Sequence, residues 1–262
     1  MNNSLFSKYI AKETLIHNLD PRSKLLFVTS YLILVFLAKT KLEFLILIAI
    51  LLLVEFLSKI SFKYLISGFK LVFFIIMFTS IVHLIFNKTG EIVLTIFGYS
   101  IYSGAFNSIL LIIIRFFLVV SIMIIFTITT SPSEITNAIN TSFNFLNRLG
   151  INVNTFALLI SISLRFIPTI GEETSRIINA QISRGANLKS GGIISRIKGF
   201  NSILIPIFIS TLKRADELAT AMEVRGYNPN SKRTRYKTLK YSNKDYLLYI
   251  ITLLLIIFII IY

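Results

Sequence analysis

Two short segments carry the side chains best placed for chemistry, and both follow the pattern A-x-x-x-R-G. They occupy residues 180–185 and 221–226, and Ser183 and Val224 precede the two arginines. Alanine and arginine four residues apart share one face of a helix, and glycine is the usual residue at the left-handed position just past a helix end. The pattern therefore predicts two helix ends that present Arg184 and Arg225. Such arginines form charge-assisted hydrogen bonds with the carboxylates of a partner.

The residues before these segments also repeat. Ile167-Pro168 and Ile205-Pro206 each lead through a charged patch to one of the two arginines. An arginine near a helix C-terminus can also simply complement the helix dipole, which is worth only about 0.3–1 kcal/mol. The repetition favours docking of Ser183-Arg184-Gly185 and Val224-Arg225-Gly226 into two related pockets of a two-part partner.

Catalytic and metal-binding patterns are missing from the sequence. It has no cysteine and only two histidines, His17 and His83, so a thiolate or histidine metal centre is not predicted. No G-x-x-x-x-G-K-[ST] phosphate loop, G-x-S-x-G or H-E-x-x-H occurs. We therefore predict no catalytic residue, no metal and no cofactor in this chain.

The composition indicates an integral membrane protein. Of the 262 residues 55% are hydrophobic, and apolar runs of membrane-spanning length recur. Five spans are predicted, at residues 25–38, 42–57, 71–86, 106–130 and 246–262. A basic link is predicted at residues 59–70 and an external loop at residues 87–104.

The charge pattern predicts the orientation. The net charge of +15 is concentrated in the N-terminal arm, in the link at residues 59–70 and in residues 184–244. By the positive-inside rule these parts and the N-terminus are cytoplasmic, and the C-terminus is outside. The charge is thus explained by topology, and nucleic acid is not a predicted partner.

Local signals predict where helices begin. Asp20 is the predicted N-cap of the first span, with Pro21 at its first position, and Ser131 with Glu134 forms a capping box around Pro132. The helix that begins there is predicted to be amphipathic and interfacial, and to reach Leu149.

Two long helices are predicted at residues 152–187 and 193–226. At 1.5 Å per residue the first is about 54 Å long, well above the ~30 Å hydrocarbon core, so part of it must leave the membrane. Pro168 and Pro206 are hinge candidates at matching points of the two helices. The sequence thus divides into residues 1–130, a coupling module at 131–242 and a last span at 243–262.

Arg115, within the fourth span, leaves functional alternatives open. A packing role is favoured over substrate binding, since no acid lies in the same span. One rival is a membrane enzyme for lipid-linked phosphates that uses Arg115, Arg165 and Arg176. Another is a stand-alone secondary carrier, which the lack of acids within the spans disfavours.

The two R-G segments, with their order in the chain, resemble the transmembrane T component of energy-coupling factor (ECF) transporters, the EcfT/CbiQ-like family. Residues 19–24 (LDPRSK), 129–134 (TTSPSE), 164–168 (LRFIP) and 214–219 (RADELA) are similar to further family motifs, so the resemblance covers nearly the whole chain. Ser183 and Val224 depart from the family, in which alanine commonly precedes R-G.

The resemblance implies an all-α protein of the bacterial cell membrane that is not itself an enzyme. Two ATP-binding-cassette ATPases, of the EcfA and EcfA′ types, would bind the two R-G tips of its long crossed helices. A separate membrane protein, the S component, would bind a vitamin or metal ion and contact the apolar surface of the same helices. ATP-driven movement would pass through this chain to the S component.

Overall fold

The residues that the structure describes form eight α-helices and one β-hairpin. The computed structural model describes residues 9–10, 12–96, 99–145, 150, 153–185, 192–228 and 239–261. The helices are α1 (Pro21–Leu37), α2 (Lys41–Ser58), α3 (Phe62–Phe86), α4 (Ser103–Thr129), α5 (Pro132–Ser142), α6 (Val153–Ser183), α7 (Ile193–Val224) and α8 (Asn243–Ile261); the strands are β1 (Ile92–Ile96) and β2 (Tyr99–Tyr102). They form two compact units, Met1–Ile139 with Leu239–Tyr262, and Asn140–Thr238.

The first unit has the only hydrophobic core cluster found among the described residues. Tyr31, Leu47, Leu118 and Ile122 are at most 1% exposed in this core, to which α1, α2, α4 and α8 contribute. The Tyr31 hydroxyl donates to the Leu47 carbonyl at 2.8 Å, so its polar atom is satisfied inside the apolar core. The core thus fixes α1 against α2 and α4.

Helix starts in this unit follow the local signals. The Asp20 carboxylate accepts the Arg22 N–H at 2.9 Å, and Pro21 is the first residue of α1, as predicted. Ser131 and Glu134 form the predicted capping box, with Glu134 N–H to Ser131 Oγ at 3.3 Å and Ser131 N–H to Glu134 Oε2 at 2.9 Å. These local predictions are confirmed.

Four helix ends meet at one end of the first unit. The Asp20 N–H donates to Asp245 Oδ1 at 2.8 Å, which joins the starts of α1 and α8. Lys24 Nζ donates to the carbonyl of Thr129, the last residue of α4, at 3.1 Å. Lys12 Nζ donates to the Lys59 carbonyl just after α2 at 3.2 Å. We call this region the basic end.

The helices that could cross a membrane differ in part from the predicted spans. Among the described residues three helices are long and apolar enough, Ser103–Thr129, Val153–Ser183 and Asn243–Ile261. A fourth span results if Tyr64–Lys70 and Val72–Phe86, bent by 55°, are taken together. Helix α1 has 17 residues and α2 contains Lys41, Glu43 and Glu55, so both are marginal spans by length and composition. The all-α membrane class is confirmed; the number five remains a prediction.

Three predicted elements need correction. Residues 87–104 contain an antiparallel hairpin of β1 and β2 instead of a loop throughout, because β-branched and aromatic residues fill both strands. Helix α3 begins at Phe62, so much of the basic link is helical. Helix α5 ends at Ser142 instead of reaching Leu149; Leu149 itself lies outside the described residues.

The second unit is built on α6 and α7. Pro168 and Pro206 lie inside α6 and α7, and both helices continue past them. The bounds of α6 and α7 agree with the two predicted long helices to within a few residues. Residues 152 and 186–187 of the first predicted helix lie outside the described residues. Few of their side chains are buried within the described part of the chain: Val153 and Ala157 of α6 and Ile203 of α7.

Candidate docking site at two helix ends

The end of α6 brings Arg184 to the tip of the helix. The Arg184 N–H donates to the Ala180 and Gln181 carbonyls at 3.1 Å, and the Gly185 N–H donates to the Ile182 carbonyl at 2.9 Å. Gly185 has φ +88°, in the left-handed region that favours glycine. The chain therefore turns away immediately after the arginine, as the sequence predicts.

The end of α7 has the same construction. The Gly226 N–H donates to the Glu223 carbonyl and the Tyr227 N–H donates to the Met222 carbonyl, both at 2.9 Å. These two bonds with φ +72° at Gly226 define a Schellman motif, which satisfies carbonyls that the helix end would leave open. The two R-G segments thus share a backbone conformation as well as a sequence.

Neither tip arginine uses its side chain for a polar contact in the described part of the chain. Arg184 and Arg225 are exposed, and neither guanidinium has a hydrogen-bond or ion-pair partner among the residues that the structure describes. The flanking Ser183 and Val224 are also exposed, Val224 at 83%. Two matched cations on helix ends, with no partner in the described part of the chain, are suited to binding carboxylates on another molecule.

A polar contact fixes α6 to α7. Arg214 Nη2 donates to Glu173 Oε2 at 2.8 Å, and the Ser210 hydroxyl donates to the other oxygen of the same carboxylate. Ser210 and Arg214 are four residues apart and therefore lie on one face of α7. Glu173 and Arg214 belong to segments that the sequence singled out, but their pairing was not predicted.

The two long helices also expose apolar side chains. In α7 Phe200, Ile205, Phe208 and Ile209 are 56–60% exposed, and in α6 Phe156 is 60% exposed. In the most apolar stretch of 18 residues in α6, only 6% is buried within the chain. Surfaces of this kind are covered by lipid or by a protein partner.

The basic end contains a buried polar cluster that sequence reasoning missed. Asp245 is 1% exposed, and its carboxylate accepts the Asp20 N–H at 2.8 Å, the Ser23 hydroxyl at 2.7 Å and the Ser242 N–H at 2.7 Å. Arg22 bonds Asp20 at 3.0 Å and covers the ring of Tyr241. The spacing Ser242-x-x-Asp245 is that of a capping box and was the available signal.

Lys24 is the most deeply buried lysine in this cluster. It is 4% exposed and its ammonium donates to the His17 carbonyl at 2.9 Å and to the Thr129 carbonyl at 3.1 Å. His17 in turn bonds the Ile10 carbonyl through Nε2 at 3.1 Å and Thr14 Oγ1 through Nδ1 at 2.6 Å. Burial lowers the pKa of His17, with the Ile10 carbonyl opposing that effect and Lys24 and Lys12 adding to it.

Arg115 has a structural use. Its guanidinium donates to the Val35 carbonyl at 3.2 Å and to the Ala38 carbonyl at 3.1 Å, at the C-terminal end of α1. It therefore satisfies carbonyls that a helix end leaves without intrahelical partners. The phosphate-binding role considered for Arg115 gains no support, and within the described residues no cluster of acids and histidines could hold a metal ion.

Known proteins similar to this chain identify the family. The family model for CbiQ, described as cobalt transport protein, matches residues 12–236. The Energy-coupling factor transporter transmembrane protein EcfT of Bacillus subtilis (strain 168) is 37% identical over 245 residues, which cover 94% of this chain and 92% of that protein. The EcfT of Staphylococcus aureus (strain 04-02981) is 39% identical, with 93% and 91% covered, and that of Lactococcus lactis subsp. cremoris (strain MG1363) is 37% identical, with 98% of both covered. This chain, with its two R-G helix ends and its apolar helices, belongs to the CbiQ/EcfT family of transmembrane components of energy-coupling factor transporters.

Proposed function

We propose that this chain is the energy-coupling subunit of an importer, and that it transmits the movement of two ATPase subunits to a separate substrate-binding S component. The observation that carries the proposal is the pair of exposed arginines, Arg184 and Arg225, each held at a helix end by a left-handed glycine. Each tip inserts into one ATPase, where the guanidinium bonds a carboxylate. ATP is bound and hydrolysed by the ATPases.

The S component is assigned to the exposed apolar side chains of α6 and α7. Phe200, Ile205 and Phe208 of α7 and Phe156 of α6 support this, since aromatic side chains are frequent in protein interfaces. The S component carries the vitamin or metal ion, so the substrate site lies on that protein. The bond from Arg214 to Glu173 connects the two helices and lets a force on one tip reach the other helix.

The proposed orientation places the basic end in the cytoplasm. The starts of α1 and α8 and the ends of α2 and α4 meet there, together with Lys12, Arg22, Lys24, Lys59 and Lys244. By the positive-inside rule such an end is cytoplasmic. Helix α8 starts at this end, so the C-terminus is outside the cell, and five spans of the cell membrane satisfy this arrangement.

Co-purification tests the proposal directly. The tagged chain is expressed with its own ATPases and extracted in mild detergent; two ATPase subunits are expected to co-elute with it. Arg184→Glu with Arg225→Glu should release both ATPases, whereas Lys213→Glu, an exposed charge reversal on α7, should release neither. An ATPase-free wild-type chain that transports by itself would contradict the proposal.

The hinge role of Pro168 and Pro206 is part of the same proposal. Both helices continue past these prolines, where one backbone hydrogen bond is missing and the helix is locally softer. In the double variant Pro168→Ala with Pro206→Ala we expect normal assembly and normal ATP hydrolysis, but less substrate imported per ATP. The measurement is uptake and phosphate release on the same proteoliposomes. A parallel fall of complex yield and uptake would indicate a packing role instead.

A further inference from the structure

An apolar cavity opens beside the start of α8 and has one charged residue on its wall. Its volume is about 310 Å³, and it lies within the first unit. Leu53, Leu57, Leu247 and Ile251 line it from α2 and α8, and Leu15 and Leu19 of the N-terminal arm line it as well. Lys244 is the only polar residue among the described residues that line it.

A second, smaller cavity lies next to it on the side of the hydrophobic core. Its volume is about 30 Å³, and it shares Ile16, Phe27 and Leu248 with the larger cavity and reaches Ile122 and Ile125 of α4. An apolar cavity stays dry, and its lining lacks the dispersion contacts that a filled space provides. The volume of the larger cavity and its apolar lining from α2 and α8 therefore fit a flexible apolar chain held between these two helices.

Its position relative to the membrane is given by aromatic side chains. Tyr241 and Tyr246, at the start of α8, are 43% and 58% exposed. Tyrosines of this kind concentrate at the headgroup level of a bilayer. Lys244 lies between these two tyrosines in the sequence, and the apolar lining continues along α8 as far as Ile251. This position places the apolar lining where the acyl chains of the bilayer begin.

Lys244 provides a preference for anionic lipid headgroups, which the apolar lining of the cavity cannot provide. Lipid tails are as apolar as leucine, so filling the cavity does not select one headgroup over another. The Lys244 ammonium is exposed and has no hydrogen-bond or ion-pair partner in the described part of the chain. The nearby Asp245 does not neutralise it, because that carboxylate is buried and bonded to Asp20, Ser23 and Ser242.

We propose that this cavity is a specific site for an anionic glycerophospholipid, with one acyl chain between α2 and α8 and the phosphate on Lys244. None of the residues that line the site belongs to the helix tips or to α6 and α7. The bound lipid fills the space between the N-terminal arm, α2 and α8 and so stabilises their packing at the basic end of the first unit.

Photo-crosslinking in nanodiscs tests the site. The full chain is reconstituted in phosphatidylcholine that contains a trace of either phosphatidylglycerol or phosphatidylcholine with a diazirine in the acyl chain. We expect labelling of the cavity wall around Leu53, Leu57 and Ile251, with phosphatidylglycerol about fivefold ahead, the size expected for one lysine near an anionic headgroup.

Two pairs of variants separate the headgroup from the chain. Lys244→Glu should abolish the fivefold preference, while Lys240→Glu, an exposed lysine outside the cavity, should keep it. Leu247→Trp should block labelling of the wall by both lipids, while Leu254→Trp should not; these leucines are 59% and 58% exposed and only Leu247 lines the cavity.

Three results would overturn the proposal. They are equal labelling by the two lipids in the wild type, equal effects of Lys240→Glu and Lys244→Glu, and no labelling of the cavity wall by either lipid, which would mean that no lipid chain enters the cavity. Elution of each variant on gel filtration shows whether it is folded. Co-purification of ATPases with Lys244→Glu should be unchanged, so this test and that of the proposed function fail independently.

Discussion

The cations at the basic end and core of the first unit and the cations at the helix tips of the second unit are used in opposite ways. In the first unit Arg22, Lys24 and Arg115 each bond a carboxylate or backbone carbonyls of the chain. In the second unit Arg184 and Arg225 stand on exposed helix ends with no partner among the described residues. A buried cation needs its partners within the fold, whereas an exposed one contributes little to stability and is available for binding. The comparison separates charges that hold the fold from charges offered to another protein.

The largest expected effect is the loss of ATPase binding when both tips are reversed. In Arg184→Glu with Arg225→Glu each lost interfacial charge costs about 2–5 kcal/mol of binding. The thermal stability of the isolated chain should stay unchanged, because neither arginine bonds within the described residues. The measurements are ATPase affinity and loss of monodisperse protein on heating. Normal ATPase binding by the double variant would contradict the assignment of the two tip arginines to partner binding.

The opposite result is expected for Lys24→Met. The variant keeps the length of the side chain but leaves the carbonyls of His17 and Thr129 without their donor, at a cost of about 1–3 kcal/mol for each buried group. The melting temperature should fall, and the protein that remains folded should bind ATPases with wild-type affinity. Lys213→Met, at an exposed position of α7, is the matched control. Unchanged stability together with lost coupling between ATP hydrolysis and substrate uptake would show that Lys24 takes part in transmitting the ATPase movement instead.

A smaller effect is expected from the glycines that position the tips. A β-carbon at Gly185 or Gly226 would meet no atom of the described residues within 4 Å, so the cost of Gly→Val arises from the left-handed backbone, about 1–2 kcal/mol. Because the helix tip changes conformation to relieve this strain, ATPase affinity should fall although the tip keeps the charge of its arginine. Asparagine tolerates this conformation, so Gly185→Asn and Gly226→Asn should bind nearly normally. Gly171→Val, in the open middle of α6, controls for added bulk; equal effects at all three sites would exclude a tip-specific role.

The smallest expected effect concerns pH at the basic end. The pKa of His17 is lowered mainly by burial, so the unfolded chain binds more protons near its ordinary pKa of about 6.5. The neutral ring contributes stability above that pH, and the contribution is lost as the pH falls through about 6.5 toward the folded-state value. Protonation would add a cation near Lys24 and Lys12, while Glu134 partly offsets it.

The corresponding measurement is the melting temperature at pH 7.5 and pH 5.5. His17→Gln should lose less stability than the wild type between these two values, because the glutamine does not titrate. ATPase binding should show no difference between the two proteins over this range, because His17 is not part of the helix tips. An equal loss of stability in both would mean that His17 does not contribute to it.

Local structure was predictable where neighbouring residues decide it. Asp20 with Pro21, Ser131 with Glu134, and the two R-G ends all form as the sequence indicates, since each signal acts within about one helical turn. The hairpin at residues 92–102 was missed because its strands are short and adjoin long apolar helices. The end of α5 was misplaced, since nothing in the local sequence marks Ser142 as the last helical residue.

The sequence by itself determined the membrane class, the two arginine-bearing helix ends and the family motifs, because these depend on composition and on spacing along the chain. Only the tertiary structure decided which charges are satisfied within the fold. Asp245 meets Ser23, Lys24 meets Thr129, and Arg214 meets Glu173 across long separations in sequence. The physical reason is that the fate of a buried charge depends on the atoms brought within about 3 Å of it, and helix packing, not local sequence, brings them there.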